Sequence, residues 1–540
     1  MKPVEQVLMS RAYRGFLKYA LLLIAVAFIS LPAFAATLTV TNLNDSGAGS
    51  LRGQIAAANP GDTIAFQPGL TGTITLTSAG LAIIKSLTIS GPGATILAVS
   101  GNNLFQVFGV TAGTVFISGL TIENGNGGGI FRDAAPLTVT DCIISGNTGG
   151  GIYTEGGAGN SLTVIGSTIS GNKAGAGGGI FVSNGGLTVI NSTISGNTGG
   201  GIVNSLGIVS VTNSTISGNT GAGIDGGVGA SLKSAIVANT IGGVNCLNAV
   251  TSLGYNLSDD GTCGFGATGD LNNTPAGLDP NGLQNNGGPT PTIALLLSSP
   301  AVNAIPISAC TDQSVPTPLP VTTDQRGVLR PQGPGCDVGA FELVPPAFAI
   351  RYASNLNMAD SVVNITNTGA SATAVLANQN PAQNNINGSI CINIYTFAAD
   401  EQEVACCSCL VTPNALWSAS VKTALLNSTL TPSFPNEVVI KLLSTIPLTG
   451  AGGTQTCNPA APTNASLTSG LLAWGTSVHG VPTATGPTFS VAETPFSPAT
   501  VTAAELARDV QECQFIQILG SGQFGICKGC SNVGLGAAAQ

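Results

Sequence analysis

The phrases Ser167-Thr-Ile-Ser-Gly-Asn172, Ser192-Thr-Ile-Ser-Gly-Asn197 and Ser214-Thr-Ile-Ser-Gly-Asn219 are copies of one another, and Cys142-Ile-Ile-Ser-Gly-Asn147 is a fourth, slightly altered copy. Their asparagines follow one another at intervals of 25, 25 and 22 residues. A second phrase, Gly-Gly-Gly-Ile, recurs in step and ends at Ile130, Ile152, Ile180 and Ile202. A repeat of this length with alternating apolar residues is typical of one coil of a parallel β-solenoid.

Aliphatic residues recur in the same column of each repeat, at every second position of the short alternating stretches. Because side chains alternate between the two faces of a strand, we expect these columns to point into the solenoid. They are Leu137, Val139 and Ile144, then Leu162, Val164 and Ile169, then Leu187, Val189 and Ile194, then Val209, Val211 and Ile216.

The repeated asparagines follow a glycine, where each coil must turn. Asparagine tolerates the left-handed backbone conformation, and its amide can bond the amide of the next coil. We therefore predict a structural ladder, formed by Asn147, Asn172, Asn197 and Asn219. Cys142 replaces the serine of the repeat at an inward position, so we expect it to be a buried and unreactive thiol.

The composition suits stacked coils. Charged residues are only 8% of 540, and 74 residues are glycine. Each side chain in a solenoid has a similar neighbour above and below, so repeated charges would repel. The net charge of −9 argues against nucleic acid as a partner. We predict no cofactor and no metal site, and we expect a monomer.

The N-terminus resembles an export signal. Arg11, Arg14 and Lys18 precede an apolar run over residues 19–31, and Ala33-Phe34-Ala35 offers small residues for cleavage. The alternative is an uncleaved anchor, but the run is short for a membrane span. We predict a signal peptide over residues 1–35, no transmembrane segment after its removal, and a secreted or cell-surface location.

A short helix is predicted just after the signal. Leu51, Ile55 and Ala58 lie at helical spacing, and Asn59-Pro60-Gly61 stops the helix. Such a helix would cover the open end of a solenoid, where apolar core and unpaired strand edges are otherwise exposed.

The segment from about Thr37 to Leu343 resembles the right-handed parallel β-helix proteins of bacterial surfaces. Its stretch Gly49-Ser-Leu-Arg-Gly-Gln-Ile-Ala-Ala-Ala-Asn-Pro-Gly-Asp62 is similar to the CSLREA-type N-terminal cap, without that cap's leading cysteine. The later stretches at residues 283–303, 323–331 and 336–342 are similar to the choice-of-anchor Q domain. The resemblance implies a β-helix with its N-terminal cap over residues 36–282 and a C-terminal cap of the helix over residues 283–346.

Cysteine clusters mark the remainder, residues 347–540, which we predict to be a smaller, mostly β domain of unknown role with a late helix. Thr502 and Glu505 form a capping box for that helix. Export favours disulfides. The disulfide candidates of the whole chain are Cys246, Cys263, Cys310, Cys336, Cys391, Cys406, Cys407, Cys409, Cys457, Cys513, Cys527 and Cys530. A four-thiolate zinc site at Cys407, Cys409, Cys527 and Cys530 is the alternative.

Two charged groups are candidate sites. Asp133 and Glu155 each stand three residues after a repeat isoleucine, so we expect them about 5 Å apart on adjacent coils, with Arg132 beside them. This is a weak candidate for catalysis, and ordinary surface charge is the alternative. Asp324, Arg326 and Asp337 form a second group, which we interpret as ion pairs that close the C-terminal cap.

Two functions stay open. The first is a non-enzymatic exported protein that acts in adhesion, in binding extracellular polysaccharide or matrix, or as a rigid spacer. The second is a carbohydrate-active β-helix enzyme, either a polysaccharide lyase or a glycoside hydrolase. Such enzymes gather several carboxylates and a base on one lateral face. That density is low here, which favours the first function.

Overall fold

The computed structural model describes residues 35–157, 161–312, 319–332, 335–344, 347–369, 388–426, 435–449, 455–463, 466–481, 488–499, 501–520, 523–528 and 530. The predicted signal peptide lies, apart from Ala35, outside the described residues. The chain is all-β: a right-handed parallel β-helix is followed by a β-rich, disulfide-bonded C-terminal part, as the sequence predicted.

Three parallel sheets form the walls of the β-helix, and each complete coil contributes one strand to each sheet. Sheet A comprises Thr37–Val40, Thr63–Phe66, Leu87–Ser90, Val115–Ser118, Leu137–Thr140, Ser161–Ile165, Gly186–Ile190, Ile208–Thr212, Ala230–Lys233 and Thr251–Ser252. Sheet B comprises Gly72–Thr75, Leu97–Ser100, Thr121–Glu123, Ile143–Ser145, Thr168–Ser170, Thr193–Ser195, Thr215–Ser217, Ile236–Ala238 and Leu257–Ser258. Sheet C comprises Leu81–Ile83, Phe108–Val110, Ile130–Asp133, Ile152–Glu155, Ile180–Val182, Ile202–Asn204, Ile224–Asp225 and Cys246–Leu247.

The predicted aliphatic columns form one continuous core. Ile144, Ile169, Ile194 and Ile216 pair in register along sheet B and are fully buried. At the N-terminal end, the helix Leu51–Ala57 packs Leu51 and Ile55 onto this core. The Ser50 hydroxyl caps the helix by accepting from Gly53 N.

The repeat glycines, rather than the asparagines after them, take the left-handed conformation at the turn between sheets B and C. Gly146, Gly171, Gly196 and Gly218 have φ of 65°, 64°, 67° and 68°. Asn191 and Asn213 are left-handed at the turn between sheets A and B, and Asn124 and Asn239 are left-handed at the position of the repeat glycine on other coils. Our expectation for the ladder asparagines was therefore wrong in its backbone part, because the preceding glycine already provides the turn.

The described residues between 278 and 344, which we call the strap, lie along the outer face of sheet B. Its strands pair as Leu278–Gln284 with Thr292–Leu295, Ile305–Pro306 with Gly335–Cys336, and Thr311–Asp312 with Leu319–Pro320, and one turn of 3-10 helix spans Ile307–Ala309. The strap packs Ile305 and Val338 against Ile236 and Leu257 of sheet B, in a second buried cluster. The core of the helix itself ends at Cys263 and Phe265, in the loop after the last complete coil.

The C-terminal part contains two sheets packed face to face. A six-stranded sheet comprises Ser497–Pro498, Phe348–Ala353, Val438–Thr445, Ile390–Ala398, Glu403–Val411 and Gln523–Ile526, and a four-stranded sheet comprises Leu416–Ser420, Val362–Asn367, Leu471–Val481 and Thr488–Pro495. Leu448–Thr449 pairs with Gln455–Thr456, and a π-helical turn spans Val421–Leu425. The helix Ala503–Leu519 buries Leu506, Cys513 and Ile516 against the six-stranded sheet. The Thr502 hydroxyl caps it by accepting from Glu505 N.

Six disulfides are present among the described residues. They join Cys246 to Cys263, Cys310 to Cys336, Cys391 to Cys457, Cys406 to Cys513, Cys407 to Cys527, and Cys409 to Cys530. The four cysteines considered for zinc are therefore in two disulfides and provide no thiolate ligands. Within the described part of the chain, no helix is long and apolar enough to cross a membrane.

Candidate functional site

The outer face of sheet C carries the predicted acidic pair. Asp133 and Glu155 occupy equivalent positions on adjacent strands, and both are half-buried. Adjacent strands lie about 4.8 Å apart, so the two carboxylates are neighbours on the surface. The structure thus brings these two predicted residues together.

Arg132 does not join that pair. It is fully buried and lies inside the helix, where its guanidinium donates to Ala135 O at 2.9 Å and to Thr154 Oγ1 at 3.1 Å. The reason is strand alternation: Arg132 shares the inward face with Ile130, two residues before it, while Asp133 faces outward. Our prediction that it stands beside the carboxylates on the surface was therefore wrong, and the outward acids lose the base that lyase chemistry would need next to them.

A stack of aromatic rings, which the sequence analysis missed, runs beside the acids. The rings of Phe131 and Tyr153 are 5.7 Å apart at 15°, and those of Tyr153 and Phe181 are 5.1 Å apart at 8°. The three residues are in register on consecutive strands of sheet C and are half-buried. Each directly follows a Gly-Gly-Gly-Ile phrase, and this position within the repeat is the signal that could have revealed them.

The acidic column and the aromatic column are bonded to each other. The Tyr153 hydroxyl donates to Glu155 Oε1 at 2.9 Å, and Ser183, half-buried, occupies the position after Glu155 in that column. Burial and the bond to Glu155 raise the pKa of the Tyr153 hydroxyl. The arrangement offers ring surfaces next to carboxylate and hydroxyl groups. We call Phe131, Tyr153 and Phe181, with Asp133, Glu155 and Ser183, the aromatic-acid face.

The asparagine ladder is inside the wall of the helix. Asn172 Nδ2 donates to Asn197 Oδ1 at 3.0 Å and to Ile144 O at 2.9 Å, while its own Oδ1 accepts from the backbone and side chain of Asn147. Asn197 and Asn219 repeat this pattern one coil further on. All four asparagines are fully buried, so the ladder is structural and offers no surface for a ligand.

Two columns of outward-facing threonines differ in whether their hydroxyls are hydrogen-bonded. On sheet B, the hydroxyls of Thr168, Thr193 and Thr215 are buried and bond the strap. On sheet A, Thr138, Thr163 and Thr188 are in register and half-exposed, and no side-chain hydrogen bond holds their hydroxyls within the described structure. Among the described residues, the strap therefore bonds the outer threonines of sheet B and not those of sheet A.

The second predicted charged group, Asp324, Arg326 and Asp337, lies within the strap and forms two separate sets of contacts. Arg326 pairs with Asp324 at 2.8 Å, and its guanidinium lies 3.6 Å from the centroid of the Phe341 ring. Asp337 belongs elsewhere, which corrects our grouping. Its carboxylate accepts from Asn303 N at 2.7 Å and from Leu343 N at 2.6 Å.

Asp337 lies beside an ion pair that the sequence analysis missed. Arg330 and Glu342 pair at 2.9 Å with both side chains almost fully buried, and Arg330 also donates to Asp337 O. Burial, and then the nearby charge of Glu342, raise the pKa of Asp337 to about 7. These groups hold the strap's own loops together, so we assign them a structural role.

Two further buried groups, Cys142 and Glu403, have raised pKa values. Burial raises the pKa of the Cys142 thiol to about 12, so this cysteine is not a nucleophile at neutral pH. In the C-terminal part, burial and then the charge of Asp509 raise the pKa of Glu403 to about 9. A Glu403 oxygen lies within 4.8 Å of both Cys406 and Cys513 sulfurs, but these form a disulfide and cannot bind a metal with it.

Comparison with known proteins supports the fold alone. A family model described as a right handed beta helix region matches residues 70–216 and 106–258. No curated protein and no solved structure matches the chain. The matched region contains the whole aromatic-acid face.

Proposed function

We propose that this is an exported or cell-surface protein that binds extracellular glycan along the outer face of sheet C and does not cleave it. The observation that carries the proposal is the stack of Phe131, Tyr153 and Phe181 beside Asp133 and Glu155. The uncovered ring face at the end of the stack can pack against the C–H groups of a sugar, and carboxylates accept from sugar hydroxyls. A surface built on stacked strands is rigid, so binding costs little ordering entropy.

The domain assignment belongs to the same proposal. Residues 1–35 are a signal peptide, residues 36–282 a β-helix with a CSLREA-type cap, residues 283–346 a choice-of-anchor Q-like unit, and residues 347–540 a disulfide-bonded domain. Six disulfides support an oxidising, extracellular location. We propose a monomer without nucleic-acid partners.

The position of Arg132 favours binding over catalysis. A lyase needs a base beside its carboxylates, and the nearest candidate in sequence is inside the core. The pairing of Asp133 with Glu155 on adjacent strands is the observation that favours the second candidate, a glycoside hydrolase, because two neighbouring carboxylates are its usual machinery.

The test uses the intact mature protein and an Asp133→Ala/Glu155→Ala variant. Retardation in native gels that contain a polysaccharide measures binding, and release of new reducing ends measures cleavage. We expect retardation without reducing ends for the intact protein and weaker retardation for the variant. Reducing ends from the intact protein and none from the variant would make this an enzyme.

A further inference from the structure

The aromatic stack is open at one end. Phe131 is its first ring, and the residue paired with Phe131 on the preceding coil is Gly109, which has no side chain. A Cβ placed on Gly109 would meet only Gln106 Nε2, at 3.7 Å. The residue one coil further back is the small and exposed Ala82. Neither Gly109 nor Ala82 therefore covers the ring face of Phe131 that points away from Tyr153.

The other end of the stack is closed. Phe181 is paired with Val203 on the following coil, so a branched side chain follows the last ring. Gly177 also approaches Phe181 closely, since a Cβ on Gly177 would lie 2.7 Å from Phe181 Cβ. Tyr153 has a ring on each side. Within the stack, only Phe131 presents a ring face to a position that carries no side chain.

Polar groups border the open face. Asp133 lies two residues after Phe131 on the same outward side of the strand. The exposed Thr111 follows Val110, the strand partner of Arg132, and so occupies the position next to Asp133 on the preceding coil. A ligand ring on Phe131 would therefore have a carboxylate and a hydroxyl at its edge.

We propose that the Phe131 ring face above Gly109, bordered by Asp133 and Thr111, is a subsite for one pyranose ring of an uncharged glycan chain. The proposal rests on the glycan-binding function above and names the ligand class. The carbon side of a pyranose ring is apolar and matches an aromatic face, while its hydroxyls reach the carboxylate and hydroxyl at the rim.

Charge decides between uncharged and acidic glycans. A uronate in the subsite would place its carboxylate near Asp133, and two like charges close together near a protein surface repel each other. Arg132 is buried on the inner side of the strand, so it cannot form an ion pair with a uronate on the outer face. The net charge of −9 adds to the preference.

A side chain placed at Gly109, over the open face of Phe131, tests the subsite directly. Gly109→Val keeps every proposed contact residue but places a branched side chain over the Phe131 face, and strands favour valine. Phe131→Leu removes the ring and is the second variant. Thr163→Val, on the half-exposed and unbonded hydroxyl column of sheet A, is the matched control. Circular dichroism melting checks that each variant is folded.

Retardation is measured in native gels that contain galactomannan or laminarin, both uncharged, or polygalacturonate or alginate, both uronates. We expect the uncharged polymers to retard the native protein, and Gly109→Val and Phe131→Leu to weaken that binding about tenfold or more. Thr163→Val should bind as the native protein does. Equal binding by folded Gly109→Val, or a preference for the uronates, overturns the subsite alone. No retardation by any of the four polymers overturns the subsite and counts against glycan binding as a whole.

Discussion

Gln325 of the strap and Thr193 of sheet B are 132 residues apart in the chain, yet the Thr193 hydroxyl donates to Gln325 Oε1 at 2.6 Å. The Gln325 amide also donates to Thr168 Oγ1 and Thr290 Oγ1, each at 2.9 Å. One side chain thus joins two coils of the helix to the strap, and all of these atoms are buried.

Replacing Gln325 by Leu should loosen the strap. The change leaves the buried hydroxyls of Thr168 and Thr193 without the amide, and we expect a loss of about 1–3 kcal/mol of unfolding free energy. Hydrogen exchange of strap amides should accelerate, while amides of sheet A stay protected. Thr163→Val, which breaks no bond, is the control. Unchanged exchange in the strap of the variant would show that Gln325 does not hold it.

Replacing Asn172 by Leu should destabilise the β-helix through the ladder. Asn172 bonds both neighbouring asparagines and Ile144 O, so the change leaves several buried polar groups unpaired. We expect a cost of about 1–3 kcal/mol, measured by denaturant unfolding. Thr188→Val, on the outer face of the same helix, should change stability by less than about 0.5 kcal/mol. Equal stability of the two variants contradicts the ladder.

Cysteine labelling should distinguish one thiol from the rest. The chain has 13 cysteines, and 12 of them form the six disulfides. Cys142 is fully buried, and its pKa of about 12 keeps it protonated. We expect no alkylation of the folded protein, one alkyl group after denaturation without reductant, and 13 after reduction, measured by intact mass. More than one group before reduction would mean that some disulfides are absent.

Glu403→Gln should stabilise the C-terminal part, increasingly so at higher pH. Both Glu403 oxygens are buried without hydrogen-bond partners, and its pKa is raised to about 9. A raised acid pKa means that the folded state holds the proton more tightly, so native stability falls as pH rises from about 4.5 through about 9. The neutral amide avoids this loss. Each pKa unit corresponds to about 1.4 kcal/mol, and partial exposure reduces the total, so we expect a gain of about 1–3 kcal/mol at pH 8.

Tryptophan fluorescence follows this effect locally, because Trp417 and Trp474 are the only tryptophans and both lie in the C-terminal part. The melting temperatures of Glu403→Gln and the native protein should coincide near pH 4.5 and diverge towards pH 9. A difference that stays constant across this range would show that Glu403 does not titrate as proposed.

The repeat predicted the β-helix because its information is local. Columns such as that of Ile144 and Ile169 follow from a fixed interval and from strand alternation, both of which can be counted along the chain. The strap could not be predicted in this way, because Gln325 and Thr193 share no pattern and meet only in three dimensions. The same holds for the pairing of 12 cysteines, for which the sequence gives no preferred connectivity.

Part of the candidate site could be predicted because it also follows from the repeat interval. Register placed Asp133 beside Glu155, and the structure has the same pairing. The inward orientation of Arg132 follows from the same strand alternation, because Arg132 shares a face with Ile130, two residues before it. The aromatic stack occupies a fixed place in the repeat, directly after the isoleucine of the Gly-Gly-Gly-Ile phrase. It is harder to recognise than the isoleucine columns because the residue at this place changes between phenylalanine and tyrosine.

The strap limits how this protein can change in length. Solenoids ordinarily gain or lose whole units by duplication and deletion, since each unit contacts only its neighbours. Here Pro291, Gln325 and Ala340 bond threonines on three successive coils. An extra unit inserted among those coils would shift the later threonines by about 4.8 Å and break the match with the strap. We therefore expect repeat units to be gained or lost before Ile143, on the coils that precede Thr168. We do not expect such changes between Thr168 and Thr215, where the strap is bonded.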